Sequence, residues 1–369
     1  MLKFDVIVVG GGLIGMMSAR ELSLAGLSVA VVERNEAGRE SSWAGGGILS
    51  PLYPWRYADA VTRLAHKSQT LYPELLESLH QTSGIDPQCE PSGLLILDTD
   101  ERQRAEDWAR DWGVSLDHIE TTDKLHSIEA GLAEAQNEGL WLADVAQVRN
   151  PRLAQSLKKS IVKQDVKLFE NSAVNHLIIK QGIVQGVQLA SEDSSGQVLY
   201  APNVVIAGGA WSAELLAETG LILPVKPILG QMILFKAEPG VVSRMVLSRD
   251  RYVIPRRDGR VLVGSTVEDV GFEKHTTTQA KEALYAEALR LIPNLKNYPI
   301  EHHWAGLRPA SPEGIPYICK HPIIDGLFMN TGHYRNGVVL APASCQLLRS
   351  LVLDEPSDID PAPYAIPLN

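Results

Sequence analysis

The sequence predicts an α/β fold, α+β overall, in which a parallel sheet of Rossmann type is joined to a separate antiparallel sheet. Three observations predict it. Residues 1–33 run strand, glycine loop, helix, strand. The segment DRYVIPRRDGRVLVGSTV alternates apolar and polar residues about a turn at Asp258-Gly259, the pattern of a hairpin. A chain of 369 residues also exceeds one ordinary core, so two domains are expected.

The opening unit reads FDVIVVGGGLIGMMSARELSLAGLSVAVVER. The apolar run Val6 to Val9 meets Gly10, Gly12 and Gly15, and a helical pattern follows to about Leu24. Gly26 ends it, and a second apolar run, Val29 to Val32, ends on Glu33. Gly10 permits a tight turn, Gly12 lets a pyrophosphate touch backbone, and Gly15 lets helix pack on strand. The helix start at Leu13 and Ile14 presents unpaired N–H groups to the phosphates. Glu33 stands where a carboxylate accepts both hydroxyls of an adenosine ribose. Its charge argues against a 2′-phosphate beside Arg34, so the expected dinucleotide is FAD or NAD.

The next segment, RESSWAGGGILSP, decides between them. Ser41 and Ser42 precede Gly45, Gly46 and Gly47, with Ile48 behind. A long FAD molecule runs past its pyrophosphate and needs backbone against its ring; an NAD site needs nothing glycine-rich here. A second dinucleotide unit is not found in APNVVIAGGAWSAELL. Gly208-Gly209 and Trp211 follow a strand there, but the third glycine is missing. That segment is expected to close the sheet under the first nucleotide.

Composition excludes other classes. Charged residues are 21% and the net charge is −10, with a pI near 5.5. This balance argues against nucleic acid or an anionic membrane as partner. Cys89, Cys319 and Cys345 are scattered, with no CxxC and no metal spacing, so no metal and a reducing cytoplasm are expected. VIVVGGGLIGMM has Asp5 ahead of it and four glycines within it, which is not the pattern of a signal sequence.

Four features occur in order: VVGGGLIG…ER, SSWAGGGILSP, VVIAGGAWS, and AGLRPASPEGIPYI…NTGHYRNGVVLAP. With them the chain resembles the D-amino-acid oxidase family of FAD-dependent amine oxidases, and within it the branch that oxidises glycine for bacterial thiamine synthesis. The resemblance spans nearly the whole chain. It implies a FAD domain of glutathione-reductase type and oxidative deamination of glycine, sarcosine or small D-amino acids. By the same resemblance, hydride is expected to pass from Cα to flavin N5 and oxygen to be reduced to hydrogen peroxide. It further implies a homo-oligomer, dimer or tetramer, and thiazole-synthesis proteins as partners.

The resemblance also assigns residues. Arg308 clamps the substrate carboxylate, as a planar guanidinium fork suits. On the residues alone, a salt bridge to Glu301 or Glu313 is the competing reading. Tyr252 points its hydroxyl at the same carboxylate, and Arg335 faces the substrate. His333, Tyr334, Arg335, Asn336, Gly337, Val338 and Val339 contact FAD, with the helix from about Val338 to Leu353 aimed at the flavin's pyrimidine end. Val174 offers backbone to adenine. Val267 and Ile48 line the pocket where a well-known member carries methionine. No side chain is expected as obligatory acid or base. Members that bind flavin covalently use a cysteine near the position of Arg308; none stands there, so FAD is expected to be noncovalent.

The FAD domain is expected to be discontinuous, residues 1–84, 146–220 and 306–369, with 85–145 and 221–305 forming the substrate domain. A strand is expected to end at Gly306, a helix to start at Asn150 as cap with Pro151 first, a turn at EDSSG, and an extended surface tail in PSDIDPAPYAIPLN. Two rival functions remain: a D-amino acid dehydrogenase that reduces a quinone, and a FAD-bearing structural or relay module.

Overall fold

A computed structural model describes residues 2–191 and 196–367. Valine-rich runs near the start form the middle of a six-stranded sheet. Its order is Tyr317–Lys320, Leu327–Thr331, Asn203–Ile206, Val6–Val9, Val29–Val32 and Lys167–Phe169. All neighbours are parallel except the first pair. VIVV and VAVV are apolar throughout because both faces are covered, as in parallel sheets generally. One face packs on helices Leu13–Leu24, Asp59–Ser83 and Gly337–Leu353. The other meets a four-stranded sheet built from Leu2–Lys3, Val198–Tyr200, Ile183–Leu189 and Val174–Lys180. The strand of VVIAGGAWS does close the sheet beside the first, with Asn203 opposite Val6.

The eight-stranded sheet is antiparallel except where Met245–Ser248 meets Leu94–Ile96. Its long edge pair, Lys226–Phe235 against Ile300–Ala310, sets Ile228 opposite Arg308 and Gly230 opposite Gly306. The hairpin turns as expected, with Gly259 at φ +85° and its N–H donating to Arg256 O at 2.9 Å.

Several expectations are corrected. The strand does not stop at Gly306 but runs to Ala310. Pro309 is tolerated because Ile300–Ala310 is an edge strand, where a missing N–H faces no partner. Asn150 does not cap its helix; Arg149 holds the cap position, and the buried Asn150 amide turns toward Gly45 and Gly47. The proline-rich tail is anchored: Tyr364 is buried and its hydroxyl donates to Ala60 O at 2.8 Å. Of EDSSG, residues 192–195 lie outside the described residues.

Candidate active site

One cleft of about 730 Å³ crosses the carboxyl ends of Val6–Val9, Val29–Val32 and Asn203–Ile206 and continues to the eight-stranded sheet. Its first wall is backbone. Gly10 has φ +114°, and a Cβ there would lie 2.4 Å from Ala207 O. A Cβ on Gly15 would lie 1.8 Å from Gly10 O. The chain can make this turn, and the helix can approach it, only without side chains. Glu33 holds the loop, its Oε2 accepting from Gly11 N at 2.7 Å and its Oε1 from Asn35 N at 3.0 Å. Ser42 Oγ accepts from Leu13 N at 2.7 Å, satisfying one of the donors at the helix start. Arg34 lies over the Trp211 ring at 3.6 Å. Gly12, Ile14, Val174, Gly208 and Ser41 complete this end of the lining.

The second glycine loop is supported from behind by a residue sequence reasoning missed. Arg256 Nη2 donates to Gly46 O at 2.8 Å, and Nη1 to Gln147 Oε1 at 2.6 Å and Val148 O at 3.1 Å. Burial pushes the Arg256 guanidinium down to about 10, with Arg149 adding repulsion. Gly47 at φ +81° leaves no room for a Cβ, which would sit 2.0 Å from Val148 O. This loop therefore presents bare backbone to the cleft, together with Gly46 and Ile48.

At the far end the late motifs converge. Tyr334 N donates to Pro309 O at 2.8 Å, tying the NTGHYRNG loop to the strand that carries Arg308. His333, Tyr334, Arg335, Gly337 and Val338 line the cleft, and helix Gly337–Leu353 starts there. Asn336 and Val339 are buried behind the lining instead. Burial pushes His333 down to about 3, so its ring is neutral; Nε2 lies 3.1 Å from Ser344 Oγ.

Arg308 lies across Gly230, whose Cβ position is 2.1 Å from Nη2. Nη2 donates to Ser265 Oγ at 2.5 Å, and Nη1 to Thr266 O at 3.1 Å and Leu229 O at 3.3 Å. These acceptors are neutral. Glu301 pairs with Arg260 instead. Burial pulls the Arg308 pKa down; Tyr252 opposes this and the charge of Arg335 adds to it. The Tyr252 hydroxyl also faces Met232 Sδ at 3.8 Å.

Of the expected substrate residues, Val267 is the one the structure does not bring to the cleft. It is 46% exposed and absent from the lining, because strand Val261–Gly264 ends before it and Ser265 faces the cleft instead. The methionine at this wall is Met232, from another strand. Gly230 carried a legible signal, since a glycine within an apolar strand marks close approach. Ser265 carried none.

Fold and cleft define a class of protein: flavin-dependent oxidoreductases, in which a long dinucleotide lies over the edge of a parallel sheet and its ring meets a second sheet. Residues 5–351 match the DAO family, described as FAD dependent oxidoreductase. The chain belongs to that family, and its cofactor is FAD. It is 49% identical to a glycine oxidase of Pseudomonas aeruginosa over 98% of both chains. It is 33% identical to the bifunctional protein ThiO/ThiG of Trichormus variabilis, over 96% of this chain and 53% of that longer one. A crystal structure of glycine oxidase from Geobacillus kaustophilus superposes with a TM-score of 0.92 at 29% identity over 100% of both chains. Among the described residues no helix is long and apolar enough to cross a membrane.

Proposed function

We propose that the protein oxidises glycine and related small amines, such as sarcosine and small D-amino acids. With glycine, the amine, water and oxygen would yield glyoxylate, ammonia and hydrogen peroxide. One observation carries this reading: Arg308 is a half-buried cation that, among the described residues, is hydrogen-bonded only to neutral acceptors, at the end of the cleft where the flavin ring would lie. A buried charge without a counter-ion is costly, and a substrate carboxylate supplies one.

FAD, when bound, supplies the acceptor for a hydride from Cα. The protein's part is positioning. Gly10, Gly12 and Gly15 with the helix start receive the pyrophosphate, Glu33 the ribose, Val174 and Arg34 the adenine end, and Gly46 and Gly47 the ring. The start of helix Gly337–Leu353 offers N–H groups where negative charge grows. Arg308 and Tyr252 hold the carboxylate, and Arg335 faces the same space. Fixing both reactants in this way supplies about 7–11 kcal/mol in favourable cases. Neutral His333 is a hydrogen-bonding wall, and no acid or base is assigned.

FAD is proposed to be noncovalent, because Cys89, Cys319 and Cys345 are all absent from the lining. Burial pushes the Cys319 thiol up to about 11. The ThiO/ThiG relative supports a place beside thiazole synthesis, using the imine of glycine. A homo-oligomer and a cytoplasmic location belong to the same reading, as does division into a FAD unit and a substrate unit. The test is a substrate panel under air, read by peroxide release. Yellow protein that small amines fail to bleach without air would refute the reading. Bleaching without peroxide under air would favour a quinone-linked dehydrogenase.

A further inference from the structure

Two guanidinium groups, Arg308 and Arg335, line the substrate end of the cleft, and the protein treats them differently. Arg308 meets only neutral acceptors, whereas Arg335 Nη1 lies 3.4 Å from Asp250 Oδ1. The other terminal nitrogen of Arg335, Nη2, is buried and has no hydrogen-bond partner among the described residues. The Arg335 side chain is 14% exposed and that of Asp250 49%, so the carboxylate stands on the solvent side of the pair and the guanidinium on the side of the cleft.

Backbone geometry sets Asp250 there. Arg249 and Asp250, at φ +49° and +60°, form the turn between strands Met245–Ser248 and Arg251–Pro255. Asp250 N donates to the Tyr53 hydroxyl at 3.3 Å, and that hydroxyl donates to Asp98. A left-handed turn of this kind accepts Asn and Gly as readily as Asp. The backbone at 250 therefore suits a residue of this class and does not require its charge.

We propose that Asp250 is a specificity-determining residue: it neutralises Arg335 and sets a negative charge on its solvent side, so that the site takes amines bearing one carboxylate and rejects those bearing two. The inference rests on the proposed Arg308 clamp. A first carboxylate satisfies Arg308. A second would need Arg335, for which Asp250 already competes, and would approach Asp250 as a like charge. At a partly exposed rim that repulsion amounts to about tenfold in binding.

The test uses the FAD-loaded protein and two unreactive ligands in which an ether oxygen replaces the amine nitrogen. Methoxyacetate carries one carboxylate and diglycolate two. Binding is measured by calorimetry for the natural protein and for Asp250→Asn and Asp250→Gly, both at home at this φ. The ratio of diglycolate to methoxyacetate affinity should rise about tenfold in both variants. Oxidation of N-carboxymethylglycine relative to N-methylglycine should rise in step. An unchanged ratio with methoxyacetate still bound would overturn the inference and leave the clamp standing. Failure of the natural protein to bind methoxyacetate at all would overturn the clamp, and this inference with it.

Discussion

Gly230→Ala tests the placement of the clamp with one methyl group. The new Cβ would lie 2.1 Å from Arg308 Nη2 and 2.3 Å from both Cζ and Nη1. Ordinary contact begins near 3.4 Å, so the guanidinium must retreat by about 1 Å. The obstacle is the far end of a flexible side chain, so the strand can keep its register opposite Gly306 and the fold should survive. What is lost is the fork's seat on Ser265 Oγ, Thr266 O and Leu229 O. Hydrogen bonds from a charged donor contribute about 1.5–3 kcal/mol each. A displacement of about 1 Å in a positioning group can cost about 10² in rate. We expect kcat/KM for glycine to fall by about 10², mainly through KM, while the visible FAD spectrum and the melting temperature stay near those of the natural protein. Assays are steady-state peroxide release, absorbance and thermal melting. A variant with kcat/KM within about twofold of the natural enzyme would show that the working guanidinium does not rest on Gly230.

Three further outcomes follow from the same geometry. Arg308→Lys keeps the charge but loses the planar fork, so FAD should be retained while kcat/KM for glycine drops by about tenfold or more in the peroxide assay. His333 is held down to about 3 by burial from an ordinary 6.5. Its neutral form is favoured by folding, so this contribution to stability is complete above about pH 6.5 and is lost as pH falls toward 3, at up to about 1.4 kcal/mol per pH unit. Urea denaturation at several pH values should show that slope, and His333→Gln should reduce it. Tyr364→Phe removes the hydrogen bond to Ala60 O, and should lower stability by about 1 kcal/mol, whereas Tyr364→Ala should cost about 3–5 kcal/mol, both read by denaturant midpoint.

Much of the nucleotide end was legible in the sequence, because its determinants are local. The turn at Gly10, the close pass at Gly15 and the fully apolar strands each depend on a few consecutive residues. The NTGHYRNG motif was legible for the same reason, with helix Gly337–Leu353 beginning inside it. The substrate end was less legible. Val267 was read into the wall from its place in a motif, yet the strand ends at Gly264 and Ser265 faces the cleft. Asn150 reads as a helix cap, but its amide is turned to a loop a hundred residues earlier. Tyr364 sits in a stretch whose composition reads as surface tail, and its burial depends on Ala60 in a distant helix.

From sequence alone, then, this protein's class and cofactor follow, since a phosphate cradle is a property of contiguous backbone and survives in a short motif. Only the tertiary structure decided which groups seat Arg308 and which carboxylate answers Arg335. Those contacts join segments that are distant in the chain, as Ile228 faces Arg308 across two strands and Asp250 in a turn meets Arg335 in a loop. Register across a sheet edge and the point where a strand stops arise from packing of the whole fold, and no local pattern of residues encodes them.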